Sequence, residues 1–210
     1  MVDWLTVDSP AERALFVFAP GAGSSRDDPV LTGLSARLSK KGHGVARFDF
    51  EYRIRGRKLP DKPEVLRARW REALERATAE LAEEVPVIIG GKSMGGRIAS
   101  LVLAEGGCRA TGLMLLGYPL FPINAKPETP PRSEHLPRVA VPTLFVQGTR
   151  DALCPLEVLR RGPLPPKKKI LVVDEADHSL EVLKRSGRTR EEVLDQVAVA
   201  VERFFFKRAR

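Results

Sequence analysis

The stretch Val87-Ile88-Ile89-Gly90-Gly91-Lys92-Ser93-Met94-Gly95-Gly96-Arg97-Ile98-Ala99 joins a short apolar run to a glycine-flanked serine and then to a helical pattern. A brief apolar run ending in glycine reads as a strand covered on both faces. Gly91-x-Ser93-x-Gly95 therefore falls on a strand-to-helix turn, the context that gives this five-residue pattern its meaning. Such a turn is tight and strains the serine backbone, so bulkier neighbours would collide and glycines are needed on either side. It lifts the Ser93 hydroxyl above the sheet at a helix N-terminus, where partial positive charge favours developing negative charge. The plainer alternative is a glycine-rich turn carrying an ordinary serine.

The same alternation extends in both directions. Ala14 to Ala19, Val45 to Phe50, Leu113 to Leu116, Thr143 to Val146 and Ile170 to Val173 are further strand candidates. Residues 64 to 84 place Leu66, Trp70, Leu74, Ala77 and Leu81 at helical spacing, and further helical segments lie near 95 to 105, 155 to 161 and 189 to 206. Strands alternating with helices imply βαβ units, hence an α/β protein with a doubly wound, mostly parallel sheet. Residues 117 to 142, with Pro119, Pro122, Pro127, Pro130, Pro131, Pro137 and Pro142, read as one long irregular connection. It is too poor in apolar residues to form a cap domain, so residues 1–210 read as one domain.

A serine at its normal acidity is a weak nucleophile and needs a base and an orienting acid. There are three histidines. His43, between two glycines ahead of a strand, reads as a surface turn on the wrong side of the sheet. His135 lies in the proline-rich connection with nothing to fix its position. His178 follows the last strand candidate, in Val173-Asp174-Glu175-Ala176-Asp177-His178, at the carboxyl edge where open parallel sheets bind ligands. The acid is expected after the preceding strand, in Gln147-Gly148-Thr149-Arg150-Asp151. Asp174, Glu175 and Asp177 compete with Asp151 but sit too near His178 along the chain. The order Ser93, Asp151, His178 is that of one serine-triad fold and not of the others.

An oxyanion needs N–H donors. The Met94 amide at the helix start is one; the Ala22 amide, in Pro20-Gly21-Ala22-Gly23-Ser24-Ser25 after the first apolar run, is the expected second. Gly21-x-Gly23 lacks the third glycine and the acidic residue of a dinucleotide fingerprint. No cofactor is expected, and no metal site. Cys108 and Cys154 lack a CxxC pattern and are expected to be reduced.

The chain has 210 residues, 43% of them hydrophobic, and a net charge of +8. Residues 47 to 76, with ten basic and six acidic side chains, and residues 203 to 210, with four basic and none acidic, hold that excess. No helix-turn-helix, zinc-finger or RNP pattern accompanies them and aromatic residues are 6%, which argues against nucleic acid as a partner. No run reaches the roughly 20 apolar residues that span a bilayer, and Met1-Val2-Asp3-Trp4 is unlike a signal peptide. A cytoplasmic protein is the expectation; the oligomeric state is not written in the chain.

The Gly90–Arg97 string, with Pro20–Ser25, Gly117-Tyr118-Pro119-Leu120, Gln147–Asp151 and Ala176–Ser179, resembles the α/β-hydrolase superfamily, specifically its small dienelactone-hydrolase-like branch. The branch consists largely of predicted hydrolases, and some eukaryotic relatives are subunits of chromatin complexes. Many relatives have His-Gly where this chain has Pro20-Gly21. The resemblance implies the α/β-hydrolase fold; the ordered triad points to a serine hydrolase of small esters or thioesters, and only the 117–142 connection is long enough to cover the site, so no lid is expected. A peptidase or acyltransferase, or a scaffold that binds partners through its basic patches, is the alternative. Gly21, Gly23, Lys92, Arg53 and Tyr118 are the candidate substrate-binding residues; Arg53, Arg55 and Arg57, after the Val45–Phe50 strand, read most simply as an exposed basic loop, with contact to anionic substrates as the alternative.

Overall fold

The structure, a computed structural model, describes residues 4–206. Of the basic C-terminal patch, Lys207, Arg208 and Arg210 lie outside the described residues. Seven strands form one sheet: β1 (Leu5–Ser9), β2 (Leu15–Ala19), β3 (Gly44–Phe48), β4 (Val87–Lys92), β5 (Gly112–Leu116), β6 (Thr143–Gly148) and β7 (Lys168–Val173). Their spatial order is β1-β3-β2-β4-β5-β6-β7; β1 is antiparallel to β3 and every other pairing is parallel. All six parallel strands thus end at one edge, and the chain doubles back across β2 and β4, the crevice-forming point of a doubly wound sheet.

Side-chain alternation sorts the central strands onto two cores. From β2, Leu15, Val17 and Ala19 face the layer of α3 (Pro63–Thr78) and α4 (Met94–Glu105). Phe16 and Phe18 face the opposite layer, α1 (Pro29–Ser39) and α6 (Arg190–Val201). Both faces being covered explains why these strands read as continuous apolar runs. The smaller helices are α2 (Glu51–Ile54) and α5 (Leu156–Arg161). The 117–142 connection is irregular as expected, with only the 3₁₀ turn Leu136–Arg138, and no cap domain is present among the described residues.

Two expectations are corrected, and one strand had no counterpart in the sequence reading. The helix read over 64–84 stops at Thr78, whose hydroxyl bonds back to the Leu74 carbonyl at 2.9 Å. Beyond it the Arg109 guanidinium gathers the carbonyls of Leu81, Ala82 and Val85, holding them in turns instead. Strand β1 escaped the sequence reading because it is a short edge strand with Val7 exposed. His43 is not a surface residue: it is fully buried, bonded to Glu202 at 2.6 Å and stacked on Phe206.

Candidate active site

Ser93 joins β4 directly to α4 with φ 50° and ψ −118°, a conformation that costs a non-glycine residue free energy. The surrounding glycines allow backbones to meet there. A methyl group on Gly95 would stand 2.2 Å from the Ala19 carbonyl oxygen, and one on Gly91 would stand 2.1 Å from the same atom. Trp70 of α3 donates its indole N–H to the Gly95 carbonyl at 3.1 Å, so the neighbouring helix of the same layer buttresses the turn.

Loops from three strand ends converge on Ser93. His178 Nε2 lies 2.8 Å from Ser93 Oγ, and His178 Nδ1 lies 2.8 Å from Asp151 Oδ2. The Asp151 carboxylate is fully buried, whereas the imidazole is 25% exposed, so the acid is dry and the base is partly open to solvent. Two further donors hold Asp151: the Gln147 side-chain amide on Oδ2 and the Leu153 N–H on Oδ1, at 2.8 Å. Gln147 is in turn fixed by the Tyr118 N–H at 3.0 Å. Asp177, set aside as an acid, binds the amides of Ser179 and Glu181 with Oδ1 and shapes the loop carrying His178.

Gly21 packs against Ser93: a Cβ there would be 3.4 Å from the serine Cβ. In the same turn the Gly23 N–H donates to the Tyr52 hydroxyl at 3.1 Å, which occupies it. The amides of Ala22 and Met94 have no protein acceptor among the described residues, and both residues line the groove next to Ser93. That groove, about 280 Å³, is walled by Leu66, Ile98, Phe121, Ile123 and Leu153, with Arg97 and Arg132 also in its lining.

Several candidate substrate residues lie elsewhere. Lys92 points away from the groove, its Nζ 3.2 Å from Asp28 Oδ2, because its side chain leaves the sheet on the opposite side from that of its neighbour. Tyr118 is buried core, its ring against Phe145 and its hydroxyl on the Arg132 carbonyl. Arg53 is not in the groove lining; it stands near Asp49 and Tyr52. Arg55 pairs with Glu51 and Arg57 with Asp61. Four further arginines of the basic 47–76 segment are similarly engaged, Arg47 on Asp8, Arg69 on Glu51, and Arg67 and Arg71 on Glu105. Arg97 and Arg132 are the cationic residues that sequence reasoning missed here, although Arg97 stands in the Ser93 string itself.

His135 is buried, with Nε2 2.8 Å from Ser100 Oγ; burial and the Arg97 charge push its pKa down to about 4. Cys154 is buried and its thiol is pushed up to about 12 by burial and the Asp151 charge, so it is no nucleophile near neutrality. No group of three or more metal-ligating side chains occurs, and no helix is long and apolar enough to cross a membrane, among the described residues.

Residues 12–206 match the family model described as an alpha/beta hydrolase domain. The fold is similar to that of a dienelactone hydrolase from Anabaena variabilis ATCC 29413, with 21% identity, 95% of this chain and 91% of that chain covered, and a TM-score of 0.74. It is also similar to Est1E from Butyrivibrio proteoclasticus, solved with ferulic acid bound, at 15% identity, 97% and 95% coverage and a TM-score of 0.75. A third likeness is XC6422 from Xanthomonas campestris, described as an a/b serine hydrolase without a lid, at 16% identity, 98% and 90% coverage and a TM-score of 0.71.

Proposed function

The chain belongs to the alpha/beta hydrolase domain family, and from that premise we propose that it is a serine hydrolase of small carboxylic esters or thioesters. The observation that carries the reading is the chain of two 2.8 Å contacts, Asp151 to His178 to Ser93, at the mouth of an apolar groove.

Ser93 Oγ attacks the ester carbonyl while His178 Nε2 takes its proton. Asp151 accepts from Nδ1–H, holding the tautomer and stabilising the imidazolium. The oxyanion is received by the Ala22 and Met94 amides, which have no other acceptor among the described residues. Each such donor contributes about 3 kcal/mol of transition-state stabilisation. The imidazolium returns its proton to the departing alcohol or thiol as the tetrahedral species collapses to an acyl-enzyme. Water, deprotonated by His178, then attacks the acyl carbonyl, and the acid leaves with Ser93 restored. The chemistry calls for no cofactor.

The test is labelling by a fluorophosphonate probe with peptide mapping, alongside hydrolysis of short p-nitrophenyl esters. Labelling should fall on Ser93, and Ser93→Ala should abolish both labelling and turnover. Full esterase activity in Ser93→Ala would end the proposal.

A further inference from the structure

The groove beside Ser93 is apolar along most of its wall, yet two arginines, Arg97 and Arg132, also line it. Arg97 lies one helical turn beyond the serine, its amide donating to the Ser93 carbonyl at 3.0 Å. Arg132 is anchored through its backbone: its N–H donates to the Leu120 carbonyl at 2.8 Å and its own carbonyl accepts from the Tyr118 hydroxyl.

Neither guanidinium has a carboxylate partner among the described residues, and Arg97 Nε is buried without any hydrogen-bond partner. Three other arginines, Arg37, Arg47 and Arg69, each contact two acidic side chains. Burial and the neighbouring Arg97 charge lower the pKa of Arg132. The other titratable groups around the pair bring no counter-charge in contact. His135 is neutral near pH 7, Tyr118 is held protonated by burial, and Glu134 is exposed and pairs with neither arginine. Two like charges held together in a half-buried groove are costly unless an anion joins them.

We propose that Arg97 and Arg132 together bind an anionic group, a carboxylate or a phosphate, on the arm of the substrate that lies along this groove. The preferred substrates are then short half-esters or half-thioesters with a terminal anion, not neutral esters. Short substrates are specified because Arg97 follows Ser93 by one turn of helix, a backbone rise of about 5.4 Å. This rests on Ser93 being the nucleophile. It assigns anion recognition to the groove arginines and not to Arg53, Arg55 and Arg57.

The experiment compares two nearly isosteric esters, p-nitrophenyl hemiglutarate and p-nitrophenyl valerate, on the parent chain, Arg97→Gln and Arg132→Gln. Arg55→Gln serves as an exposed-charge control, and all variants are checked for folding by circular dichroism. The parent should favour the hemiglutarate in kcat/KM. Each groove substitution should cut that preference about tenfold, mainly through KM, as expected for a charge-assisted hydrogen bond, whereas Arg55→Gln should leave it intact.

A second arm measures thermal stabilisation of Ser93→Ala by glutarate and by inorganic phosphate. The anion that stabilises names the group, and the effect should vanish when Arg97→Gln is added. Equal handling of both esters by the parent, or parallel losses on both in the arginine variants, overturns the proposal. If neither ester is turned over and Ser93 is not labelled, the hydrolase reading fails. The anion site is then decided by the second arm alone, where no stabilisation by either anion overturns it.

Discussion

Gln147 donates its side-chain amide to Oδ2 of Asp151, the same carboxylate oxygen that faces His178 Nδ1 at 2.8 Å. Both side chains are buried, so no water can replace that donor if it is removed. Gln147→Leu is expected to lower kcat/KM for esters about tenfold, chiefly in kcat, because a hydrogen bond to a charged group is lost while the triad atoms remain. Asp151→Asn should cost about 10⁴-fold, since it favours the wrong imidazole tautomer. Steady-state kinetics with parallel melting curves separate the two. A loss with Gln147→Leu as large as with Asp151→Asn would contradict a purely positioning role.

Ser93 occupies φ 50°, where glycine is unstrained and alanine is not. Ser93→Gly and Ser93→Ala both remove the contact to His178, so their difference isolates the backbone term. Ser93→Gly should be the more stable by about 1 kcal/mol in denaturant unfolding, and both should be inactive. Equal stability would show that the turn relaxes when the side chain is lost.

Gly95, the second residue of α4, lies against the backbone of Ala19 and Pro20; an added Cβ would stand 2.2 Å and 2.6 Å from their carbonyl oxygens. Neither obstacle is a flexible side-chain end, so the strand exit itself must move. Gly95→Ala is expected to destabilise the fold by about 2 kcal/mol and to lower kcat, because Ala22 lies on that exit. Ester turnover under conditions where the variant is fully folded checks the second part.

His135, bonded to Ser100 in the core, has its pKa pushed from the usual 6.5 down to about 4. The unfolded chain therefore binds this proton more readily than the folded one. The stabilising contribution is complete above about pH 6.5 and is lost progressively as the pH falls towards 4, amounting to about 3 kcal/mol. His43, also lowered by burial, adds in the same direction. Urea midpoints between pH 4 and 7 should fall less steeply for His135→Gln than for the parent. An identical slope would mean that another group carries the acid sensitivity.

The parts of the site that could be read without coordinates are those written as local patterns. Ser93 was legible because a tight strand-to-helix turn demands glycines at fixed offsets. Asp151 and His178 were legible because each follows a strand and parallel strands share one carboxyl edge. Lys92 and Tyr118 misled because adjacency along the chain was taken for adjacency in space. Lys92 instead reaches Asp28, and Tyr118 turns into the core beneath Arg132. Gln147 lies four residues before Asp151, but nothing local shows that its amide meets that carboxylate.

Apolar runs, glycine spacing and chain order were enough to establish the α/β architecture and the three residues that meet at its edge, because each depends on contacts among residues close in sequence or on the handedness of βαβ units. Which cations face the serine was a different matter. Arg55 and Arg57 are drawn off by Glu51 and Asp61, whereas the proline-rich connection folds back on Leu120 and brings Arg132 into the groove that Arg97 lines. Ion pairing and the path of an irregular loop depend on distances between residues far apart in the chain, and only the packed fold sets those distances.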